Sequence, residues 1–164
     1  MPRKKEPEAG DLIEIFRPVY QHWAIYVGNG YVIHLAPPSE VAYAGSNIVM
    51  SMFCERALVK KEELSVVVGN DDYKVNNLLD DKYEPKDIDL VVKHAHRLVG
   101  QMQPYDLFSH NCEHFVTDLR YGHPTSRQVR NAVGVTVGVV GVIGVVAMMA
   151  KLLSDSGKEK ENEY

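Results

Sequence analysis

His22-Trp23-Ala24-Ile25-Tyr26-Val27-Gly28-Asn29-Gly30-Tyr31-Val32-Ile33-His34-Leu35 carries the most informative local signal in the chain. β-branched and aromatic residues flank an Asn-Gly turn, and Pro37-Pro38 closes the second run, so a β-hairpin is predicted. Each arm carries a histidine near its outer end. Whether the two can cooperate depends on the turn. A two-residue Asn29-Gly30 loop pairs Val27 with Val32 and Ile25 with His34, which leaves His22 on the opposite face. A three-residue Gly28-Asn29-Gly30 loop, with Gly30 in a left-handed bulge, pairs Val27 with Tyr31 and Ala24 with His34. His22 and His34 then become diagonal neighbours on one face. If both histidines serve one site, the bulged loop is the expectation.

Outward from the hairpin, a second stretch bears on chemistry: Ser109-His110-Asn111-Cys112-Glu113-His114-Phe115-Val116-Thr117-Asp118-Leu119. Asn111 is a good N-cap, and Cys112, Phe115, Val116 and Leu119 recur at i, i+3, i+4, i+7, so a helix should begin at the cysteine. Unpaired N–H groups and the helix dipole in the first turn favour a thiolate over the ordinary thiol range near ~8.5. Tyr121-Gly122-His123-Pro124 gives the Gly-then-Pro signature of a helix end. A thiol at a helix start with a histidine on a neighbouring sheet is the papain-type pairing of nucleophile and base.

The rest of the chain supplies the frame. Asp11-Leu12-Ile13-Glu14-Ile15-Phe16 reads as a strand ended by Arg17-Pro18, and Leu64-Ser65-Val66-Val67-Val68 as another ended by Gly69-Asn70-Asp71-Asp72. Residues 39–56 mix Gly45, Ser46 and Asn47 with Val41, Tyr43, Ile48, Val49, Met50, Met52 and Phe53. They suit either core packing under a loop or an apolar flap against lipid. Asn76 to Lys86 is polar and acidic, a loop closing at Pro85. Asp87 then opens a helix whose Ile88, Val91, Val92, Ala95, Leu98 and Val99 form one stripe, with Gly100 as its stop. Pro104-Tyr105-Asp106 reads as a turn leading to the cysteine helix.

Composition narrows the function classes. A chain of 164 residues allows one domain with a real core plus an appendage, and a net charge of −4 gives no sign of a nucleic-acid binder. Two widely separated cysteines make neither a disulfide framework nor a C-x-x-C zinc site, and the charged N-terminus lacks the apolar core of a signal peptide. Both facts fit a reducing compartment in which Cys112 stays a free thiol. Cys54 has no flanking base or cap and reads as structural. The C-terminal part differs sharply. From Ala132 to Ala150 no residue is charged, and as a helix this run reaches about 28 Å, close to a bilayer core. A buried element of a soluble core is the alternative, and soluble elements seldom stay uncharged so long. The layout expected is a flexible leader over 1–10, a catalytic domain over 11–125, a juxtamembrane linker over 126–131, a transmembrane anchor over 132–153 and a short tail over 154–164. Arg127 and Arg130 before the run place the body on the cytoplasmic face of an intracellular membrane, with a cytosolic pool compatible.

The remaining histidines contribute less. His94 and His96 stand two apart on a helix and read as surface, and His123 as an exposed turn residue. His110 and His114 flank Cys112 and, with Glu113, invite a metal reading. The cysteine is only two residues from either histidine, however, and no further ligand pair is evident. No metal or cofactor is expected.

Three motifs in order carry a resemblance: His22-Trp23-Ala24-Ile25-Tyr26-Val27-Gly28, Val32-Ile33-His34-Leu35-Ala36-Pro37-Pro38 and Asn111-Cys112-Glu113-His114-Phe115-Val116. The chain resembles the phospholipase A/acyltransferase family, the HRAS-like suppressor proteins, which are relatives of lecithin:retinol acyltransferase and, more distantly, of NlpC-type thiol peptidases. The resemblance implies an α+β fold. Its catalytic domain would be circularly permuted papain-like, with an antiparallel sheet packed on the nucleophile helix, followed by a C-terminal transmembrane helix. It implies Cys112 as nucleophile, His22 as general base and then acid, and His34 as the residue orienting His22. Tyr20 or Arg17 would assist the Cys112 N–H at the oxyanion. The implied activity is calcium-independent phospholipase A1/A2 and acyl transfer through an acyl-cysteine thioester. Phosphatidylcholine and phosphatidylethanolamine in a bilayer are the expected partners. Acyl acceptors would be water, the amine of phosphatidylethanolamine or a lysophospholipid. Two other readings stay open: a thiol peptidase or isopeptidase, and a non-catalytic tail-anchored adaptor.

Overall fold

A computed structural model describes residues 5–18, 20–37, 55–106 and 110–130. The expected membrane anchor, the tail, Cys54 and most of the loop over 39–56 lie outside these residues. Among the described residues no helix is long and apolar enough to cross a membrane. The chain divides into a unit Met1–Ser126 and a second, Arg127–Tyr164, of which only residues 127–130 are described.

In the first unit six strands form one antiparallel sheet, ordered β5-β1-β2-β3-β4-β6. The strands are β1 (Leu12–Phe16), β2 (Gln21–Gly28), β3 (Tyr31–Ala36), β4 (Arg56–Glu63), β5 (Asp72–Val75) and β6 (Met102–Pro104). Among the described residues of this unit three helices accompany them: α1 (Leu64–Val68), α2 (Ile88–Leu98) and α3 (Cys112–Tyr121). The fold is therefore α+β with an antiparallel sheet, as the sequence implies.

Alternation along the strands gives the sheet two apolar faces. Leu12, Trp23, Ile25, Ile33, Leu35, Ala57 and Val59 pack with Val91 and Ala95 of α2 and with Cys112, Val116, Leu119 and Tyr121 of α3. Ile13, Ile15, Ala24 and Val32 pack on the other face with Leu64, Val67 and Val68 of α1. Trp23, 1% exposed, anchors the first core.

One expectation is corrected here. Leu64–Val68 is a one-turn helix, not a strand, because Leu64, Val67 and Val68 at i, i+3, i+4 all reach the second core from a helical turn. The strand lies just before it, in β4, where Ala57 and Val59 point inward and Lys60 to Glu63 face outward or half-outward. Met102–Pro104, which shares only Pro104 with the turn expected at Pro104-Tyr105-Asp106, pairs with Arg56–Leu58 as an edge strand. Proline is tolerated there because an edge strand leaves some N–H positions unneeded.

The helix ends agree with the chemistry of their sequences. Asp87 caps α2 by accepting from the Leu90 N–H at 3.1 Å. Gly122 ends α3 in a left-handed conformation at φ 72°, which a side chain would strain, and a Cβ there would meet Lys86 Cε at 2.7 Å.

A polar knot ties α3 to the loop after β5. Arg120 donates from Nε and Nη2 to both carboxylate oxygens of Asp80, at 3.1 and 2.9 Å, and from Nη1 to the Gly10 carbonyl at 2.8 Å. Tyr121 Oη donates to Asp80 Oδ1 at 2.7 Å. Burial first, and the Asp80 carboxylate second, push the Tyr121 phenol up to about 12. A phenol raised on folding contributes stability that is fully present below its unfolded value near ~10 and is lost as pH rises through about 12. Urea unfolding between pH 9 and 11 should show stability falling by up to about 1.4 kcal/mol per pH unit. Tyr121→Phe should flatten that slope. An unchanged slope in the variant would assign the alkaline loss to another group.

Candidate active site

The hairpin resolves the question posed by its turn. Asn29 at φ 53° and Gly30 at φ 81° form a two-residue tip in which Gly28 faces Tyr31. Both central residues at positive φ match the type I′ turn that suits the twist of paired strands. The extra residue is nevertheless present, one step earlier than expected. The register slips between Tyr26 and Gly28, leaving Val27 bulged, and below it Tyr26 faces Val32 and Ile25 faces Ile33. Ala24 therefore stands opposite His34, the pairing that a three-residue loop predicts. The bulge at Gly30 is corrected to one at Val27, and its consequence for the histidines is the same.

That consequence is direct contact. His22 Nε2 and His34 Nδ1 are hydrogen-bonded at 2.8 Å, and the rings meet edge to face with centroids 5.0 Å apart. Both imidazoles are buried, at 0% and 1% exposure. On its other side His34 Nε2 is 2.8 Å from Glu62 Oε2 of β4. The β3–β4 register places His34 opposite Lys60 and Val32 opposite Glu62, so Glu62 reaches His34 diagonally across one sheet face. Sequence reasoning missed Glu62, because β4 was not recognised as a strand.

Cys112 is the first residue of α3. Asn111 caps the helix, its side-chain oxygen accepting from the N–H groups of Glu113 and His114 at 2.9 and 3.1 Å. His114 completes the capping box by accepting the Asn111 N–H on Nδ1 at 3.3 Å. Burial first holds the His114 pKa below its ordinary value, opposed by Glu113 and Asp106 and helped by His110. A neutral ring keeps the Nδ1 lone pair that the cap needs. Glu113 is fully buried, accepts from Ser126 Oγ at 2.5 Å, and thus fastens the segment after α3 to the first turn of that helix. Thr117 adds to this clasp, accepting from the Thr125 N–H at 2.9 Å.

Cys112 is 4% exposed, and its Sγ lies 3.8 Å from the carbonyl oxygen of Gln21. Gln21 opens β2 and immediately precedes His22, so the thiol stands one residue along the chain from the histidine pair. The pair shares the strand parity of Ala24 and Val32, whereas Cys112 belongs to the core beneath α2 and α3. The thiol's contact with the Gln21 carbonyl brings the start of α3 to the start of β2, one residue before His22.

The remaining expected residues fall as follows. Arg17 donates to the Val67 and Val68 carbonyls at 2.7 and 3.2 Å and pairs with Asp71 at 2.7 Å, which ties its guanidinium to the C-terminal end of α1. Tyr20 is half-buried just before Gln21. His94 and His96 are exposed on α2, and exposed His123 stacks on Tyr83 at 4.4 Å. His110 exchanges two backbone hydrogen bonds of 3.0 Å with Asp106. Among the described residues no group of three or more His, Cys, Asp or Glu is placed to hold a metal ion.

Comparison with known proteins bears on this arrangement. A family model described as lecithin retinol acyltransferase matches residues 5–125. Mouse phospholipase A and acyltransferase 3 is 60% identical over 128 residues, covering 78% of this chain and 79% of the relative. Human phospholipase A and acyltransferase 2 is 58% identical over 136 residues, 83% of each chain. Human phospholipase A and acyltransferase 1 is 47% identical over 127 residues, 77% of this chain and 75% of the relative. With the family model spanning both histidine strands and the cysteine helix, the chain belongs to the lecithin retinol acyltransferase family, among its phospholipase A and acyltransferase members.

Proposed function

We propose that this protein is a thiol-dependent phospholipase A and acyltransferase that works through an acyl-cysteine thioester on Cys112. The observation that carries the reading is the placement of a helix-tip thiol 3.8 Å from the residue preceding His22, with His22 bonded to a second buried imidazole. The order of the elements, histidine strands before the cysteine helix, supports a circularly permuted papain-like domain.

His22 takes the Cys112 proton, and the thiolate attacks the carbonyl carbon of a fatty-acyl ester in a glycerophospholipid. The Cys112 backbone N–H, at the start of α3 where helix N–H groups lack intrahelical acceptors, suits the developing oxyanion, and Tyr20 is the side chain best placed in sequence to help. Collapse expels the lysophospholipid oxygen, which leaves with the proton from His22. Water, the amine of phosphatidylethanolamine or a lysophospholipid hydroxyl then attacks the thioester, with His22 again as base. No step calls for calcium. The uncharged run 132–150 supports an enzyme held at a bilayer, which raises the effective concentration of its substrate.

The test is to incubate the full chain with vesicles of phosphatidylcholine and phosphatidylethanolamine, then quench in acid. A hydroxylamine-labile acyl adduct on the Cys112 peptide, together with lysolipid and N-acyl product, is expected. Cleavage of peptide or isopeptide bonds without lipid turnover would replace this reading with a thiol peptidase. Turnover of neither would leave an adaptor.

A further inference from the structure

We infer that Glu62 is a positioning residue of the catalytic relay, fixing through His34 the tautomer that makes His22 Nδ1 the base for Cys112. The inference rests on the proposed roles of Cys112 and His22 and goes beyond them to a third side chain, on β4.

The chain of contacts is short and directional. A carboxylate only accepts hydrogen bonds, so at the 2.8 Å contact His34 Nε2 must donate to Glu62 Oε2. A neutral imidazole carrying its proton on Nε2 has its lone pair on Nδ1. The 2.8 Å contact to His22 then has His22 Nε2 as the donor. The same rule, applied once more, leaves the lone pair of His22 on Nδ1, which is buried. Glu62 thus sets the proton positions of two rings in series. Without it His34 is free to carry its proton on Nδ1 and donate to His22 Nε2, which would place the His22 proton on Nδ1, where it cannot accept from the thiol.

Glu62 also supplies what a neutral second imidazole lacks. When the thiol proton moves from Sγ to Nδ1, His22 becomes an imidazolium, and a histidine partner alone offers a dipole but no charge. The carboxylate beyond His34 puts a full negative charge at the far end of the buried relay. Glu62 itself takes no proton in the step. Its side chain is 32% exposed, and Lys60 Nζ lies 3.9 Å from Oε1. Among the described residues, α1 (Leu64–Val68) and β6 (Met102–Pro104) carry no charge, and the ionisable residue of β3 facing it is His34. Asp or Asn at the third position of a thiol or serine triad orients its histidine directly. Here the acid acts one ring further out.

The experiment compares the full chain with Glu62→Gln, Glu62→Asp, His34→Ala and the double variant His34→Ala/Glu62→Gln. Each is assayed for acyl-thioester formation on phosphatidylcholine vesicles and for the pH dependence of Cys112 alkylation by iodoacetamide. Glu62→Gln should slow thioester formation about tenfold, below the roughly 10²–10⁴ that a general base itself contributes. It should move the alkylation profile to higher pH, because the imidazolium that accompanies the thiolate loses its distant counter-charge. Glu62→Asp, which keeps the charge on a shorter arm, should restore the profile in part. In the His34→Ala background Glu62→Gln should add nothing, since the relay is already cut. An unshifted alkylation profile in Glu62→Gln, or full additivity with His34→Ala, would overturn the inference. Failure of the underlying reading looks different: the unmodified chain would then form no thioester, or His22→Ala would leave its formation intact.

Discussion

Cys112→Ser is expected to reduce phospholipid turnover on the order of 10⁴-fold or more, the scale on which loss of a nucleophile acts. The substitution changes one atom and little volume, at a 4%-exposed position over the start of β2. The reason for so large an effect is electronic. A thiol ionises near ~8.5 and lower at a helix start, whereas a serine hydroxyl depends wholly on removal of its proton during attack. On the proposed mechanism that proton passes to the imidazole of His22, a transfer that a thiol makes more readily than a hydroxyl. The helix cap built by Asn111 and His114 does not involve the Cys112 side chain, so the fold should survive. Lysolipid release from phosphatidylcholine vesicles measures the loss, and a thermal unfolding curve checks the fold. Residual turnover within tenfold of the parent protein would remove Cys112 from the nucleophile's role.

His22→Ala should be the next largest loss, and it should differ in kind from His34→Ala. His22 follows the residue whose carbonyl lies 3.8 Å from the thiol, and as the proposed general base its removal should cost the roughly 10²–10⁴-fold that proton transfer contributes. His34 is bonded to His22 at 2.8 Å, so in its proposed orienting role His34→Ala should cost about ten- to a hundredfold, the range over which partners of a functional imidazole act. Both are buried without exposed surface to spare, and each truncation leaves a void beside a polar partner. For that reason the readout is acyl-thioester formation per folded molecule, quantified by the labelled Cys112 peptide. Equal and complete loss in the two variants would show that the two rings share the proton, and that the ranking of their roles is wrong.

Much of the frame that holds these residues is legible in the sequence. Cys112 could be placed at a helix start because the cap and the i, i+3, i+4, i+7 spacing are local signals, and α3 begins there. The helix opening at Asp87 was legible for the same reason. The hairpin was legible from its Asn-Gly turn. Its bulge was not, because one extra residue in a strand of Tyr26, Val27 and Gly28 leaves no compositional trace. β4 escaped because Lys60, Lys61, Glu62 and Glu63 interrupt the apolar alternation that Ala57 and Val59 begin, while the adjoining valine run drew the strand assignment onto what is α1. β6 escaped because an edge strand need bury little, and Met102 is 49% exposed.

Glu62 marks the boundary between the two kinds of information. By itself the sequence determined the chemistry-bearing residues: a thiol at a helix start and two histidines on a hairpin, because caps, turns and periodicities are written in neighbouring residues. Only the tertiary structure decided that Val27 carries the bulge, that His22 and His34 touch, and that Glu62 completes their line. Those outcomes depend on the registers of β2 on β3 and of β3 on β4. A slip of one residue in either would turn a side chain to the other face of the sheet. Register is set by cores packed from both faces, and that is a property of the whole fold.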